Sequence, residues 1–362
     1  MQRPGHARPF LPGAPSILVP VFDGHNDVLL RLWNRKVGDP VAAFLNGDGQ
    51  GHMDLPRMVK GGFAGGFFAI FAPSPEDEDD DDDLNPPPSH AVAQAAAAAA
   101  VTGMASLLFR IEEAAPDRFK VCRSTADIRS ALADGKIAAI FHIEGAEAID
   151  PDLHALDVLH KAGLRSLGLV WSRDNVFGHG VPFRFPSSGD TGPGLTAAGK
   201  ALVRRCNELR IMIDVSHLNE NGFWDVARHS AAPLVATHSN AHALSRSSRN
   251  LTDDQIRLIG QSGGMIGLNF ANGFLRADGL WQSENGLDTP LRHLDHLMKL
   301  AGEDHVGLGS DFDGARIPSA IGDVSGLPRL VAAMADHGYG QELIEKLCSS
   351  NWLRVLERVW GE

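Results

Sequence analysis

Eight short apolar runs, each bounded by turn-forming residues and followed by a stretch compatible with a helix, organise this sequence. They lie near Leu18–Phe22, Phe63–Phe71, Ile137–Ile143, Ser166–Val170, Ile211–Val215, Leu234–Thr237, Gly264–Asn269 and Val306–Gly309. Runs of this kind, apolar on both faces, are what parallel strands joined by helical crossovers look like in sequence. Eight of them suit a closed barrel better than an open doubly wound sheet, because no GxGxxG turn or phosphate-binding loop follows any of them. The expectation is an α/β fold of the (β/α)8 TIM-barrel type with loop insertions. A chain of 362 residues accommodates one such barrel, so 1–362 is expected to be a single domain.

Two segments depart from the alternation. The run Glu76-Asp77-Glu78-Asp79-Asp80-Asp81-Asp82-Asp83 continues into Leu84-Asn85-Pro86-Pro87-Pro88. It cannot bury itself, so 76–88 is expected to be a solvated loop insertion; it lacks the glycine and spaced ligands of a dedicated calcium loop. Ala91 to Glu113 is alanine-rich and reads as a helix, with Met104, Leu107, Leu108 and Ile111 spaced to face a core.

Composition narrows the partners. With 33 basic against 45 acidic residues the net charge is −12, which repels nucleic acid and anionic membrane surfaces. Three widely spaced cysteines, Cys122, Cys206 and Cys348, without a CxxC pair, suit a reducing compartment. The first twenty residues show no apolar signal core, the last residues no anchor-type tail, and no stretch of roughly 18 apolar residues is expected that could span a bilayer. A cytoplasmic protein without a membrane partner is expected, with a homodimer as the default assembly.

In a barrel of this type the working residues sit past the C-terminal ends of the strands, and five of the runs end in histidines or carboxylates. The first leads into Phe22-Asp23-Gly24-His25-Asn26-Asp27, where an extended backbone would turn His25 and Asp27 to one side. The third ends His142-Ile143-Glu144, and the tip carboxylate of Glu144 can offer one oxygen to each of two ions. The fifth and sixth end Asp214-Val215-Ser216-His217 and Thr237-His238-Ser239, placing one imidazole on each of two neighbouring strands. His242 follows at a spacing that imitates a ligand pair and is read as a bystander on the next helix. The eighth ends Gly309-Ser310-Asp311-Phe312-Asp313-Gly314, and either Asp311 or Asp313 can serve as the proton shuttle. Arg249, before the capping-type Thr252-Asp253-Asp254-Gln255, would either fork onto a substrate carboxylate or cap loop carbonyls.

Three imidazoles and two carboxylates, with Glu144 able to bridge, make a site for two metal ions. Such a pair lowers the pKa of a shared water toward neutrality and polarises a carbonyl, so amide or ester hydrolysis is the natural reaction. Nitrogen and oxygen ligands without thiolate suit zinc, and also cobalt or manganese.

These blocks resemble those of the membrane (renal) dipeptidase family. The matching residues are Phe22-Asp23-Gly24-His25-Asn26-Asp27, Ile143-Glu144-Gly145, Ile213-Asp214-Val215-Ser216-His217, Thr237-His238-Ser239, Ser248-Arg249-Asn250-Leu251 and Gly309-Ser310-Asp311-Phe312-Asp313-Gly314, in the family's order over nearly the whole chain. The resemblance implies two zinc ions, one held by His25 and Asp27, the other by His217 and His238, with Glu144 between them. It favours Asp311 as the shuttle and gives Arg249 the free carboxylate of a dipeptide. Family members carry a histidine after the fourth strand that helps hold the scissile carbonyl, whereas this chain reads Leu169-Val170-Trp171-Ser172-Arg173-Asp174-Asn175. An indole donates a proton but cannot titrate, so Arg173 or His179 would have to replace that function, or Trp171 only shapes the pocket. Without the anchors and disulfides of some members, the chain looks like a soluble bacterial-type relative.

The function expected is therefore a zinc-dependent dipeptidase that attacks free L-Xaa-L/D-Xaa dipeptides with a hydroxide bridging two metals. Two other readings compete. A cyclic-amide or lactone hydrolase would carry an HxH pair and a bridging lysine, and no lysine lies in Arg165–Trp171. A catalytically silent metal-binding scaffold would bind metal without turnover.

Overall fold

The computed structural model describes residues 18–74, 84–85, 89–282 and 284–361. Nine parallel strands form one sheet: β1 (Val21–Asn26), β2 (Phe63–Phe71), β3 (Phe119–Cys122), β4 (Ile137–Glu144), β5 (Ser166–Gly168), β6 (Met212–Asp214), β7 (Val235–Ala236), β8 (Met265–Leu268) and β9 (Val306–Leu308). Their order is β2-β1-β9-β8-β7-β6-β5-β4, closed by β2 against β4, so eight strands make the barrel. The extra strand, β3, was not among the eight expected. It pairs with the lower half of β4 from Ile137 to Ile140, while β5 takes the upper half from His142 to Glu144. The first expected strand also lies further along the chain: it runs to Asn26, so His25 belongs to the strand itself.

The alternation of side chains along the strands builds the interior in layers. Phe22, Phe67, Ala138, Ile140, Met212, Val235 and Met265 form an apolar cluster with Trp352. Trp352, on the helix Asn351–Trp360, is fully buried beneath the barrel and gives its indole N–H to Leu308 O at 2.9 Å. Gly24 is required where that ring approaches, since a Cβ there would stand 2.5 Å from the indole and 2.3 Å from Thr237 O. Stepping two residues up from Ile140, Met212 and Val235 leads to His142 and then Glu144, to Asp214, and to Thr237. Polar side chains therefore begin where the apolar plug ends.

The outward faces of the strands pack against the helices in a second, larger apolar cluster. The alanine-rich segment forms the helix Gln94–Ala114, and Met104, Leu107, Leu108 and Ile111 are all buried, as expected from their spacing. It is long and apolar enough to cross a bilayer by length and composition, which the sequence reading overlooked; its buried stripe here packs on the barrel. The acidic and proline-rich insertion falls largely outside the described residues, apart from Leu84 and Asn85, which hydrogen-bond to Phe185.

Candidate active site

Five strands deliver polar side chains to one mouth of the barrel. On β1 the pairing register with β2 shifts between Asp23 and Asn26, and the chain then turns into the helix Val28–Trp33, with Asp27 at its start. His25 Nε2 stands 3.3 Å from Asp27 Oδ2 and 3.7 Å from Glu144 Oε1. From the opposite wall, His217 Nε2 and His238 Nε2 lie 2.9 and 3.3 Å from the same Glu144 oxygen, and 3.0 Å from each other. All five residues are buried.

Neither nitrogen of His25 has a hydrogen-bond partner. Buried imidazoles are normally satisfied, so a buried His25 without hydrogen bonds, beside two further imidazoles that converge on the same carboxylate oxygen, indicates a cation site. Ligands about 2.0–2.1 Å from a tetrahedral ion would lie roughly 3.3 Å apart, and the separations around Glu144 Oε1 match that spacing. Two groups can each hold an ion: His25, Asp27 and Glu144, and Glu144, His217 and His238. Glu144 is common to both. The donor set of nitrogen and oxygen atoms fits two divalent ions.

Electrostatics point the same way. Burial pushes the Glu144 and Asp311 carboxyls above their ordinary range, and the nearby Asp27 charge adds to this. Burial also holds the His217 and His238 imidazoles well below theirs, with the Arg249 and His25 charges contributing. Neutral His217 and His238 imidazoles beside crowded carboxylates are the state a divalent cation stabilises. His25 differs, since against the cost of burial the Glu144 and Asp27 charges push its imidazole up to about 10, and it would release that proton on binding an ion.

The loop after β9 is stitched to β1. Asp311 N donates to His25 O at 3.0 Å and Asp27 N to Phe312 O at 2.8 Å. Gly314 is required here, because a Cβ would fall 2.2 Å from Asp27 Oδ2 and 2.6 Å from Asp311 Oδ1. The structure separates the two aspartates that spacing alone could not. Asp311 belongs to a cluster with His25 and His238, whereas Asp313 turns away to Arg31 Nε at 3.1 Å and to the His52 backbone N–H. His217 and Asp311 both hold left-handed backbone conformations, φ 65° and 59°. Non-glycine residues persist there only when their surroundings enforce it, a pattern concentrated at functional sites.

Arg249 is buried against the same wall. Its Nη1 donates to Ser239 Oγ at 2.8 Å, and its Nη2 to His238 Nε2 at 2.8 Å and His238 O at 3.1 Å. Its Nε has no partner, and the guanidinium lies 5.9 Å over the Phe274 ring. The adjoining Thr252 and Gln255 form the expected capping box of the helix Asp253–Gln261.

Trp171 stacks on His217, ring centroids 5.7 Å apart at 27°, between Phe71 and Phe183. Of the two substitutes considered for the absent histidine, Arg173 is locked in a buried pair with Glu147 at 3.0 Å and bonds Ala72 O and Ser74. His179 is bonded to Asp174 at 2.9 Å. His242 sits in a turn rather than on a helix, its Nε2 2.8 Å from Ser187 O, apart from the ligand cluster.

Three supporting residues were missed in the sequence. Ser172 Oγ meets His217 Nδ1 at 2.7 Å, Thr237 Oγ1 meets His238 Nδ1 at 2.7 Å, and Asn269 Nδ2 reaches Asp311 Oδ2 at 2.9 Å. Each stands at or next to a strand end already singled out, and that adjacency was the available signal.

With this geometry in place, comparison with known proteins is decisive. The sequence profile of the membrane dipeptidase family, peptidase family M19, matches residues 17–360. The chain belongs to that family. It is an enzyme of the metal-dependent dipeptidase class. A crystal structure of a metallopeptidase from Rhodobacter sphaeroides, liganded with a phosphinate mimic of the dipeptide L-Ala-D-Ala, is 57% identical and superposes with a TM-score of 0.92, covering 95% of this chain and 100% of that one. The probable dipeptidase PvdM from Pseudomonas aeruginosa is 26% identical, TM-score 0.81, over 95% of this chain and 96% of its own. An uncharacterized protein in the pqqA 5′ region of Klebsiella pneumoniae is 53% identical over 245 residues, 68% of this chain and 90% of its own. Membership of the M19 family fits the eight-stranded barrel and the two-lobed ligand cluster around Glu144.

Proposed function

We propose that this chain hydrolyses the peptide bond of free dipeptides at a pair of zinc ions, with His25 and Asp27 on one ion, His217 and His238 on the other, and Glu144 between them. The observation that carries this reading is the convergence of His25, His217 and His238 on the single oxygen Glu144 Oε1. When bound, two such ions supply Lewis-acid activation of the scissile carbonyl and of the attacking water.

The protein's own residues supply the rest. Asp311 is the proton carrier: its carboxyl faces the cluster, and burial holds its pKa above the ordinary carboxylate range, so it accepts a proton from water and returns it to the leaving amine. Arg249 is the clamp for the substrate's terminal carboxylate, because a buried guanidinium whose other bonds go to Ser239 and His238 keeps an unpaired donor at Nε that a carboxylate can satisfy. Trp171 forms a wall over His217 rather than polarising the carbonyl, and Arg173 and His179 are already engaged elsewhere. The Rhodobacter relative's L-Ala-D-Ala mimic supports a substrate with a D residue at its carboxyl end.

A panel of L-Xaa-L-Xaa and L-Xaa-D-Xaa dipeptides, their C-terminal amides, cyclic amides and lactones tests this. Turnover confined to dipeptides with a free carboxylate is expected. Preference for lactones or cyclic amides would replace the reading with the broader amidohydrolase one.

A further inference from the structure

We propose that Thr237 and Asp214 are positioning residues that lock His238 in the tautomer presenting an unprotonated Nε2 to the site. This rests on the reading of His238 as a metal ligand, and not on the identity of the substrate.

Asp214 ends β6 and lies beneath the site, fully enclosed. Its Oδ1 accepts two backbone N–H groups, from Ser216 and Thr237, both at 2.9 Å. Its Oδ2 accepts the Thr237 hydroxyl at 2.5 Å. A threonine hydroxyl has one proton to give. Having given it to Asp214, Thr237 Oγ1 can only accept from His238 Nδ1, 2.7 Å away. The proton on the ring therefore sits on Nδ1.

The other end of the ring reports the same state independently. A guanidinium donates and never accepts, and Arg249 Nη2 lies 2.8 Å from His238 Nε2. That nitrogen therefore presents a lone pair to Arg249, the nearest of its three polar neighbours, with His217 Nε2 at 3.0 Å and Glu144 Oε1 at 3.3 Å. His217 is held differently: its Nδ1 meets Ser172 Oγ at 2.7 Å, and no second acceptor for that hydroxyl appears among the described residues. A free hydroxyl rotor does not choose a tautomer, so the two imidazoles of this half-site are unequally organised. Orienting partners of this kind typically change metal affinity by about 10–100-fold.

The direct test is long-range proton–nitrogen NMR of metal-free protein labelled at histidine. His238, assigned through loss of its signal in His238→Ala, should show the Nδ1–H pattern in the wild type and in Thr237→Ser, and a mixture in the near-isosteric Thr237→Val. An Nε2–H pattern for the wild type would overturn the proposal without any variant at Thr237. In parallel, zinc affinity measured by competition with a chromogenic chelator should fall about 10–100-fold for one of two equivalents in Thr237→Val and Asp214→Asn, and recover in Thr237→Ser. Equal affinity in Thr237→Val and wild type would also overturn it, as would Thr237→Ser binding as weakly as Thr237→Val. Because neither readout involves turnover, failure of the dipeptidase reading would leave the result interpretable.

Discussion

Asn269 Nδ2 donates to Asp311 Oδ2 at 2.9 Å, while the amide oxygen of Asn269 accepts Ala271 N–H at 2.6 Å and so cannot flip away. One carboxylate oxygen of Asp311 is thereby held. No hydrogen bond reaches Oδ1 among the described residues, which suits the proton transfer proposed for Asp311. Replacing Asp311 by Asn should leave the metal content unchanged and lower kcat by about 10²–10⁴-fold, the range of a lost general acid–base group. Asn269→Ala, which only unlocks the rotor, should lower kcat less than Asp311→Asn does. Steady-state kinetics with metal analysis on each variant decides the matter, and near-wild-type turnover in Asp311→Asn would remove Asp311 from the mechanism.

The clamp role proposed for Arg249 would separate binding from chemistry. Arg249→Ala should raise KM for free dipeptides by roughly 10–100-fold, as expected for a charge-assisted hydrogen bond worth about 1.5–3 kcal/mol. C-terminal amides, already lacking the partner charge, should lose far less. Arg249→Lys should not restore the wild type, because an ammonium cannot reproduce the fork that holds Ser239 and His238 together. Equal losses on acids and amides would assign Arg249 to the wall and not to the substrate.

How much of this was legible beforehand depended on whether a residue's role was local. Glu144 stood out because it tips an apolar run, and the two-residue step from Ile140 through His142 carries it into the barrel. The strand Phe119–Cys122 was not legible, because four residues that pair with only half of β4 make a signal no stronger than a loop. Spacing alone did not separate Asp311 from Asp313, and only the family resemblance favoured Asp311: both occupy positive-φ turn positions, φ 59° and 67°, and it is Arg31 and His52, arriving from a distant segment, that draw Asp313 away. The tautomer lock was invisible for the same reason: Thr237 neighbours His238 in sequence, but its proton's destination is on another strand.

His293 makes stability depend on pH outside the ligand cluster. Its Nδ1 accepts Ala241 N–H at 3.2 Å and its Nε2 lies 2.9 Å from Leu275 O, so the buried ring is neutral and both ends are used. Burial pushes its pKa down from 6.5 to about 4. The unfolded chain thus takes up a proton first as pH falls. The stability held by neutral His293 is complete above about 6.5 and is lost between there and about 4. The full shift corresponds to roughly 3 kcal/mol, taking about 1.4 kcal/mol per unit. Urea unfolding across that window should show the decline, and His293→Gln should flatten it. An unaltered slope in the variant would assign the decline to other groups.

All three cysteines are buried and unpaired, and burial pushes the Cys122, Cys206 and Cys348 thiols up to about 12. A thiol-specific chromogen should label none of them in the folded protein near neutral pH and all of them after denaturation. Rapid labelling of a native thiol would show that the strand or helix carrying it opens locally.

Stepwise addition of zinc to chelator-stripped protein, with L-Ala-D-Ala hydrolysis followed at each point, tests the proposed pair of ions around Glu144 most directly. Activity should be absent without metal and reach its plateau at two equivalents per chain, while Glu144→Gln should fail to hold the pair. Full turnover in protein shown to contain no metal, or two bound equivalents without hydrolysis of any dipeptide, would contradict it.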